Sequence, residues 1–469
     1  MKNSQKIIII VILTVLTTGF DWSFRVSSAK AEELTPQQAK QLADYWRPFS
    51  EQTPRIKETP QLKKEQVEQC VSHALTFIIN KQNPNGSWGG PYKTKRLNIY
   101  APMPRSHNAF LMGTSSLAMA SLCEWEQLAP DSVRSKIPAA IEKGQKWILD
   151  NLDSVKRSSH TSTYNNWAHI YSLSALSRLY LRAQAVGDLQ LEKRLVLAMQ
   201  KQVSQLAHFE NIHGGWAYYD WDNPSTRPSF STLSFTTAAG LVSLYEVSQL
   251  NISKEILPEG KIAIPQHIIT RAVASIVRQQ KPDFTYAYGE YVADSPLYGI
   301  NRNSGSLGRS QACNAALNYW STLRTEEQVK LAADGKKIPD TALPFSRFVT
   351  QQVMTDALDR FCARIGWLDG ARKHSVPHDY FNKIAGYFYF YGHLYASEEL
   401  ICLDNPAEQK RLAAHLTKIL MDIQDKDGSY WDFVLYDYGQ SYGTGMALIS
   451  LARCYRAMYG EKSDASKSI

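Results

Sequence analysis

Acidic side chains gather with tyrosines and tryptophans in a few short stretches of this 469-residue sequence. Two carboxylates that lie close together can split their pKa values, so that one acts as an acid and the other as a base. The alternative for each pair is that one carboxylate caps a helix and the other is solvated. The pairs predicted as catalytic candidates are Asp220 with Asp222 and Asp432 with Asp437.

A histidine gives a fifth catalytic candidate. His378 comes directly before a predicted helix, where an imidazole could act as a base at neutral pH. The alternative is a histidine satisfied within the core. The sequence contains no nucleophile elbow, no phosphate-binding glycine loop and no metal-binding histidine spacing. We therefore predict neither a metal nor a cofactor.

Aromatic rings in the same stretches offer flat surfaces for a ligand, and a few charged groups accompany them. A glutamate among tyrosines could have a pKa raised by burial, although a surface loop is the alternative. The candidates for substrate binding are Trp216, Tyr218, Tyr219, Tyr286, Tyr288, Glu290, Arg309, Trp431 and Tyr436.

Helical patterns in the sequence form six consecutive pairs that would hold these residues. The first helix of each pair is amphipathic, whereas the second is apolar nearly all round and rich in small residues. The predicted pairs are Gln66–Lys81 with Ser106–Leu128, Lys136–Asp150 with Asn165–Ala185, Leu189–Phe209 with Thr232–Leu250, Pro265–Gln280 with Ser310–Leu323, Phe345–Ile365 with Asp379–Leu403, and Pro406–Gln424 with Gly439–Tyr459.

A ring of buried helices inside a ring of amphipathic helices is an all-α α/α toroid, and six units can close it. The connections from first to second helices would then emerge on one rim. They are long, so we place the functional mouth there. The amino-terminal ends of the second helices would point toward this mouth and favour an anion.

Glycine-containing turns support the count of repeats. A glycine can supply the left-handed residue that ends a helix, and the following aromatic residue can cover the turn. The clear turns are Gln82-x-x-x-Gly86-Ser87-Trp88 and Gln424-x-x-x-Gly428-Ser429-Tyr430-Trp431, and the degenerate ones are Gly215-Trp216 and Gly366-Trp367. The second and fourth pairs lack the motif.

These turns and the helix order resemble the Gln–Trp repeats of the terpenoid cyclase and protein prenyltransferase toroids. More narrowly, they look like the exported prenyltransferase/squalene-oxidase-repeat proteins of bacteria. The resemblance covers roughly Gln66 to Tyr459. It implies the toroid fold and leaves the activity open.

Two hallmarks of the resembled enzymes are absent from the sequence. Class II cyclases carry an Asp-x-Asp-Asp acid, whereas the nearest match here, Asp220-Trp221-Asp222-Asn223, ends in asparagine. Protein prenyltransferases bind zinc through an Asp-x-Cys pair, and none occurs here, since Asp359 and Cys362 are three residues apart. The resemblance therefore implies neither a typical class II cyclase nor a zinc prenyltransferase.

The amino-terminal segment predicts export. Lys2 and Lys6 precede a short apolar run, and Ala29-Lys30-Ala31 offers a cleavage site, although an uncleaved anchor is the alternative. We expect a signal peptide (1–31), a polar lead-in (32–65), one toroid domain (66–459) and a disordered tail (460–469) in a secreted or periplasmic protein. Six cysteines leave disulfides or buried free thiols open.

Charge and composition narrow the partners. Hydrophobic residues make up 44% of the chain and charged residues 20%, which is typical of a globular protein. The net charge of +8 is spread without a basic block, so we predict no nucleic-acid partner. We expect a monomer that contacts the membrane only through the signal segment.

Three functions fit this pattern. The first is an exported squalene-cyclase-like toroid that binds, and could transform, an elongated isoprenoid or lipid at an aromatic, acidic mouth. The second is a carbohydrate-active enzyme, a polysaccharide lyase or a glycoside hydrolase, with aromatic platforms and paired carboxyls. The third is a non-catalytic binding module.

Overall fold

A computed structural model describes residues 53–56, 58–92, 106–155, 165–218, 232–295, 297–320 and 349–460. These residues belong to the compact unit Trp46–Ile469. They contain helices and three isolated β-bridges but no strand. The predicted signal peptide and the tail after 460 lie outside the described residues.

Twelve helices of ten or more residues make up the described part of the chain. They are α1 (Lys64–Asn80), α2 (Ser106–Trp125), α3 (Ile137–Asn151), α4 (Asn166–Val186), α5 (Leu189–His208), α6 (Ser234–Ser248), α7 (Gln266–Gln279), α8 (Ser310–Tyr319), α9 (Gln351–Arg364), α10 (Phe388–Ile401), α11 (Pro406–Ile423) and α12 (Tyr438–Tyr459). Shorter α-helical and 3₁₀ segments are Asp131–Arg134, Leu152–Ser154, Glu290–Val292, Gly299–Asn301, Asn303–Ser306, Gly366–Ala371 and Phe381–Lys383.

The six even-numbered helices close into a ring. Each of α2, α4, α6, α8 and α10 packs on the next even-numbered helix, and α12 packs back on α2. The odd-numbered helices lie outside them; α3, α5 and α7 pack mainly on the inner helix that precedes them in the chain. The fold is therefore an all-α α/α toroid, as the helical patterns predict.

The inner helices are buried on nearly every side. In α6, only Tyr245 and Ser248 are not buried, and small residues such as Ala238, Ala239 and Gly240 allow neighbouring helices to approach closely. The outer helices bury one face, as in α7, where the apolar positions Ile268, Ile269, Ala272, Val273 and Ile276 recur at helical spacing.

One turn geometry recurs four times after outer helices. In each turn a backbone amide donates to the carbonyl oxygen four residues later in the chain, from Asn83 to Ser87, Asn211 to Gly215, Lys281 to Thr285 and Asp425 to Ser429. The aromatic residue that follows each turn is fully or almost fully buried: Trp88, Trp216, Tyr286 and Tyr430. The fourth helix pair thus has the turn, although its sequence lacks the glycine motif.

Glycine is needed at the clearest of these turns. Gly86 has φ +98°, and a Cβ there would lie 2.4 Å from the carbonyl oxygen of Lys143 on α3. In the fourth pair, Phe284 occupies the equivalent place with φ +57°. Gly366 differs from both, because it begins the short helix Gly366–Ala371 and forms no such turn. The assignment of Gly366-Trp367 as a degenerate turn is therefore wrong.

The fifth inner helix begins later than predicted. Its predicted start is Asp379, whereas α10 begins at Phe388. His378, Asn382 and Lys383 all have positive φ values, a conformation that interrupts a right-handed helix. The residues before Phe388 consequently form an irregular segment at the amino-terminal end of the inner ring.

The opposite end of the inner ring is filled by ion pairs. Arg178 on α4 donates to Glu124 on α2 at 2.8 Å and to Glu246 on α6 at 3.0 Å. Arg456 on α12 donates to the same Glu124 at 2.5 Å. The remaining members are Arg453 and Glu398, which form an ion pair between α12 and α10. We call these six side chains the ionic cluster.

Candidate functional site

An aromatic cavity of about 290 Å³ lies at the amino-terminal ends of the inner helices. Eleven of its nineteen lining residues are Phe, Tyr or Trp. These eleven come from inner helices and from the loops that lead into them: Phe110, Trp167, Tyr171, Tyr218, Phe235, Tyr288, Tyr387, Phe388, Tyr391, Phe433 and Tyr442. The ring fold thus brings residues distant in sequence to one cavity.

The rings of the cavity wall meet mostly edge to face. Phe235 lies 5.0 Å from Phe388 at an interplanar angle of 78°, and 6.0 Å from Tyr391 at 82°. Trp167 stacks on Tyr171 at 5.3 Å with an angle of 16°. The described rings therefore surround a rounded apolar volume with both ring edges and ring faces.

Asp432 is the carboxyl group among the described lining residues. It is completely buried, and its Oδ2 accepts a 2.9 Å hydrogen bond from the amide of Phe390 in the first turn of α10. Its Oδ1 has no hydrogen-bond partner among the described residues. Burial raises the pKa of Asp432 to about 7, although the Phe390 amide and the charge of Arg372 oppose the rise. The group can therefore exchange a proton near neutral pH.

Three tyrosine hydroxyl groups meet at one corner of the cavity. The hydroxyl oxygen of Tyr218 lies 2.5 Å from that of Tyr288 and 3.2 Å from that of Tyr387. The oxygens of Tyr288 and Tyr387 are 3.0 Å apart. Burial raises the pKa of Tyr218 and of Tyr288 well above the ordinary value, so both hydroxyls keep their protons. We call this group the tyrosine corner.

His378 extends the tyrosine corner. Its Nε2 lies 2.9 Å from the hydroxyl oxygen of Tyr387, and its Nδ1 lies 2.7 Å from the carbonyl oxygen of Lys383. Burial lowers the pKa of His378, and the charges of Arg309 and Lys383 lower it further, while the Lys383 carbonyl partly opposes them. The imidazole is therefore neutral at physiological pH.

Arg309 lies behind the tyrosine corner and is fully buried. Its guanidinium donates to the carbonyl oxygens of Tyr286, Ile300 and Gly305. Its central carbon lies 5.7 Å from the ring centres of both Tyr288 and Phe388. No ion pair joins Arg309 to a carboxylate within the described ranges. The cavity wall at this corner is thus backed by a positive charge.

The five predicted catalytic residues divide into three groups. Asp432 and His378 line the cavity. Asp437 does not, because its carboxylate forms an ion pair with Lys81 at 2.8 Å. Asp220 and Asp222 lie outside the described residues, as does Tyr219 among the binding candidates.

Three of the predicted binding residues belong to the site. Tyr218 and Tyr288 line the cavity, and Arg309 supports the tyrosine corner from behind. Two others are core residues without exposed surface. Trp216 donates from its indole nitrogen to the carbonyl of Leu206 at 2.8 Å, and the Tyr286 hydroxyl donates to Asn314 at 2.7 Å. These contacts give Trp216 and Tyr286 a structural role in the turns.

The other three binding candidates do not line the cavity. The carboxylate of Glu290 pairs with Arg278 at 2.6 Å. The ring of Trp431 lies 4.2 Å from the Lys373 ammonium, and its nitrogen donates to Asp425. Tyr436 is in a left-handed conformation with φ +47°. The aromatic residue buried in this turn is Tyr430, which precedes Trp431 in the sequence.

Several site residues are missing from the sequence-based candidates. Tyr387, Phe388 and Tyr391 stand in a run of five aromatic residues, which is a visible signal, but the run does not show which rings face inward. Trp167 and Phe235 stand near the starts of apolar inner helices, where a core role is the default expectation. The ring geometry, rather than a local motif, selects these residues.

The cysteines lie outside the wall of this cavity. All six cysteines are free thiols, and none of them lines the cavity. Among the described residues, no three His, Cys, Asp or Glu side chains are grouped so that they could hold a metal ion. No helix in that part of the chain is long and apolar enough to cross a membrane.

Comparisons with known proteins return similar structures only. No family model and no curated protein matches the sequence significantly. A possible member of the GH105 family from Salmonella enterica shares 11% identity, with 86% of this chain and 96% of that chain covered and a TM-score of 0.44. The GH76 α-mannanase of Bacteroides thetaiotaomicron shares 13% identity, with 84% and 97% covered and a TM-score of 0.42.

A third similar structure is the ent-copalyl diphosphate synthase of Streptomyces platensis. It shares 13% identity, with 90% of this chain and 99% of that chain covered and a TM-score of 0.20. Likeness at this level does not distinguish one activity from another. The toroid assignment for this chain rests on its own helix contacts.

Proposed function

We propose that this toroid binds the apolar body of an elongated isoprenoid- or lipid-type ligand in the aromatic cavity, with Asp432 as the group that exchanges a proton with it. The observation that carries the proposal is that the described cavity wall holds eleven aromatic rings and one buried carboxyl. The export predicted from residues 1–31 is part of the proposal, because it gives the cavity access to extracytoplasmic ligands.

The size of the cavity supports a chain-like ligand. A volume of about 290 Å³ is near the lower end of the range of about 300–1,000 Å³ for small-molecule sites. An isoprenoid segment would occupy this volume, and a longer chain would extend through the mouth.

The environment of Asp432 suits a neutral, unsaturated ligand. At a pKa of about 7, part of the population carries the proton at neutral pH without a neighbouring base. A protonated Asp432 can donate to an alkene, and the surrounding ring faces would stabilise the resulting cation. Whether the bound ligand is transformed or only held depends on this step.

A carbohydrate-active enzyme is the second candidate, and one observation favours it. The His378–Tyr387 hydrogen bond beside the buried Arg309 is a His/Tyr/Arg set that could perform acid–base chemistry on a glycan. Glycoside hydrolysis would need a second carboxyl about 5–10 Å from the first. Among the described lining residues, Asp432 is the one carboxyl.

The proposal is tested with three purified proteins and two ligand classes. Wild type, Asp432→Asn and Asp356→Asn are titrated with polyprenols, squalene and uronate oligomers in thermal-shift and calorimetric experiments. Asp356 is the matched control, because it is a buried carboxyl on α9 that pairs with Arg55 at 3.0 Å outside the cavity wall. Products are followed by mass spectrometry.

We expect isoprenoids to raise the melting temperature of all three proteins, since a ligand present at about 100 times its Kd stabilises by about 2.7 kcal/mol. Any turnover should disappear in Asp432→Asn and persist in Asp356→Asn. Isoprenoid binding without turnover in wild type would identify a binding module. Stabilisation by uronate oligomers alone would overturn the isoprenoid proposal in favour of the glycan candidate.

A further inference from the structure

A second, much smaller cavity lies within the ionic cluster, toward the carboxyl-terminal ends of the inner helices. Its volume is about 20 Å³, and the inner helices α2, α4, α6, α10 and α12 all contribute to its wall. A water molecule needs a space of at least about 10–15 Å³. This cavity therefore has room for one guest of the size of water.

Two polar atoms of the cavity wall have no hydrogen-bond partner among the described residues. They are the Oε2 of Glu246 on α6 and the Nε of Arg453 on α12, and each side chain is only 5% exposed. The other oxygen of Glu246 accepts from Arg178 at 3.0 Å, and the Nη1 of Arg453 donates to the Leu394 carbonyl at 3.3 Å. A buried polar atom without a partner costs free energy, so a guest that satisfies both atoms would stabilise the fold.

The two atoms belong to helices that stand opposite each other, because α6 and α12 are the third and the sixth members of the inner ring. The direct ion pairs of the cluster join neighbouring helices instead: Arg178 joins α4 to α2 and α6, Arg453 joins α12 to α10, and Arg456 joins α12 to α2. Across the axis, the Nη2 of Arg453 lies 3.9 Å from the Oε1 of Glu246, which is too far for a hydrogen bond. A polar gap of this length suits a bridging molecule.

The chemistry of the two atoms selects the guest. The Nε–H of Arg453 can only donate, and the carboxylate oxygen of Glu246 can only accept, so the guest must accept on one side and donate on the other. A metal cation cannot accept a hydrogen bond, and a halide anion cannot donate one. The three arginines and three glutamates of the cluster also balance in charge, which leaves no charge for an ion to neutralise. A water molecule meets both requirements.

Tyr395 adds a third polar group to the same wall. Burial raises its pKa well above the ordinary value, and Tyr171 and the charges of Glu398 and Glu246 raise it further. The hydroxyl of Tyr395 therefore keeps its proton and can either donate to the guest or accept from it. Buried waters commonly make about three hydrogen bonds, and the wall supplies three such groups.

We propose that one water molecule is an integral member of the ionic cluster, bound between the Nε–H of Arg453 and the Oε2 of Glu246. It links α6 to α12 and thereby connects opposite helices of the ring. The aromatic cavity lies on the other side of Tyr171, which lines both cavities. The water therefore belongs to the floor of the candidate site, and the inference does not depend on what the aromatic cavity binds.

Nuclear magnetic resonance tests the proposal in the intact protein. The Nε–H of Arg453, assigned with an Arg453→Lys variant, should show a nuclear Overhauser effect to a long-lived water. The Nε–H of Arg178 is the matched control, because it is buried in the same cluster but donates directly to Glu124 at 2.8 Å. It should show no such effect. The absence of the effect at Arg453, or an equal effect at both arginines, would overturn the proposal.

Two substitutions of Glu246 separate the water from the ion pairs. Both Glu246→Gln and Glu246→Met remove the negative charge that faces Arg178, but the glutamine keeps an oxygen that can accept from the water. The effect at the Arg453 Nε–H should therefore persist in Glu246→Gln and disappear in Glu246→Met. Its persistence in Glu246→Met would show that the carboxylate does not hold the water.

A crystal structure of the unsubstituted protein identifies the guest without any variant. We expect one peak of electron density within hydrogen-bonding distance, about 2.7–3.2 Å, of both Arg453 Nε and Glu246 Oε2. Crystals soaked in rubidium bromide should show no anomalous signal at this peak. A dry cavity, a direct hydrogen bond between the two side-chain atoms, or an anomalous peak from either ion would contradict the proposal.

Discussion

The same inner helices form an aromatic cavity at one end of the ring and the ionic cluster at the other end. At the amino-terminal ends, aromatic rings line a cavity of about 290 Å³ around a single described carboxyl. At the carboxyl-terminal ends, the ionic cluster leaves a space of only about 20 Å³, which is lined by two of its arginines and two of its glutamates. A single helix can serve both ends, as α4 does with Trp167 at one and Arg178 at the other.

The side chains at the two ends determine which end of the ring is filled and which end holds a cavity. Charged groups that neutralise one another bring the helices together, and they close the floor with directional contacts. Aromatic rings line the open volume at the other end. The helix dipoles agree with the placement, since their negative ends favour the arginines of the floor.

The largest effect is expected from breaking the ionic cluster. Arg178→Met leaves Glu124 and Glu246 with fewer partners in a buried site, and should lower the free energy of unfolding by about 3–5 kcal/mol. Urea unfolding measures the change. Lys146→Met is the control, because its ion pair with Asp150 is exposed and should contribute less than about 1 kcal/mol. Equal losses in both variants would contradict a special role for the cluster.

The acids of the two ends should respond oppositely to pH. The pKa of Asp432 rises from 3.8 to about 7 in the folded protein, so between these values the folded state holds a proton that the unfolded state has lost. Stability from this group is full below about pH 4 and falls by roughly 4 kcal/mol as the pH rises to about 7. Asp432→Asn removes the titration, and the difference between variant and wild type measures it.

Glu124, a member of the ionic cluster, should contribute to stability with the opposite dependence on pH. Burial alone would raise its pKa, but Arg178 and Arg456 lower it from 4.5 to about 2. Its contribution is therefore present above about pH 4.5 and is lost as the pH falls toward 2. In Glu124→Gln this acid-side loss should vanish, whereas Asp432→Asn should retain it.

The smallest effects should come from two glycines that probe the spacing of the helices. A Cβ on Gly113, in the cavity wall, would meet its nearest neighbour, Tyr171, at 3.8 Å. Gly113→Ala should therefore raise stability by about 0.5–1 kcal/mol through the backbone and weaken ligand binding.

A Cβ on Gly445, where α12 contacts α2, would lie 3.0 Å from the Leu117 backbone. Gly445→Ala should destabilise by about 1–3 kcal/mol. Thermal unfolding of the two variants compares them directly.

Most of the fold could be predicted because the spacing of apolar residues along the sequence shows which helices are buried and which are amphipathic. An apolar, small-residue helix such as α6 must be buried, and six such helices alternate with six amphipathic ones. The start of α10 could not be predicted, since the irregular segment with His378 and Asn382 depends on tertiary contacts that stabilise positive φ values. The turn at Phe284 could not be predicted either, because a phenylalanine does not indicate the left-handed backbone found there.

Part of the candidate site was predictable because a side chain stands beside a recognisable turn. Asp432 follows the Gly428 turn by four residues, and Tyr218 follows Trp216 by two. The raised pKa of Asp432 depends on burial beneath α10, whose Phe390 is 42 positions away. The contact of Tyr387 with Tyr218 spans 169 positions, so no local pattern could reveal the tyrosine corner.

Closure of the ring also brings the first and last helices side by side. The hydroxyl of Tyr459 on α12 donates to the carbonyl of Leu62 at 3.3 Å, and that of Tyr455 donates to Glu68 on α1 at 2.7 Å. The connection between α4 and α5, by contrast, turns at Gly187, where a Cβ would meet nothing within 4 Å. A circular permutant that joins the ends beside α1 and α12 and opens at Gly187 would preserve every inner contact. The helix contacts of the toroid are cyclic, so they do not depend on which of these two connections carries the chain ends.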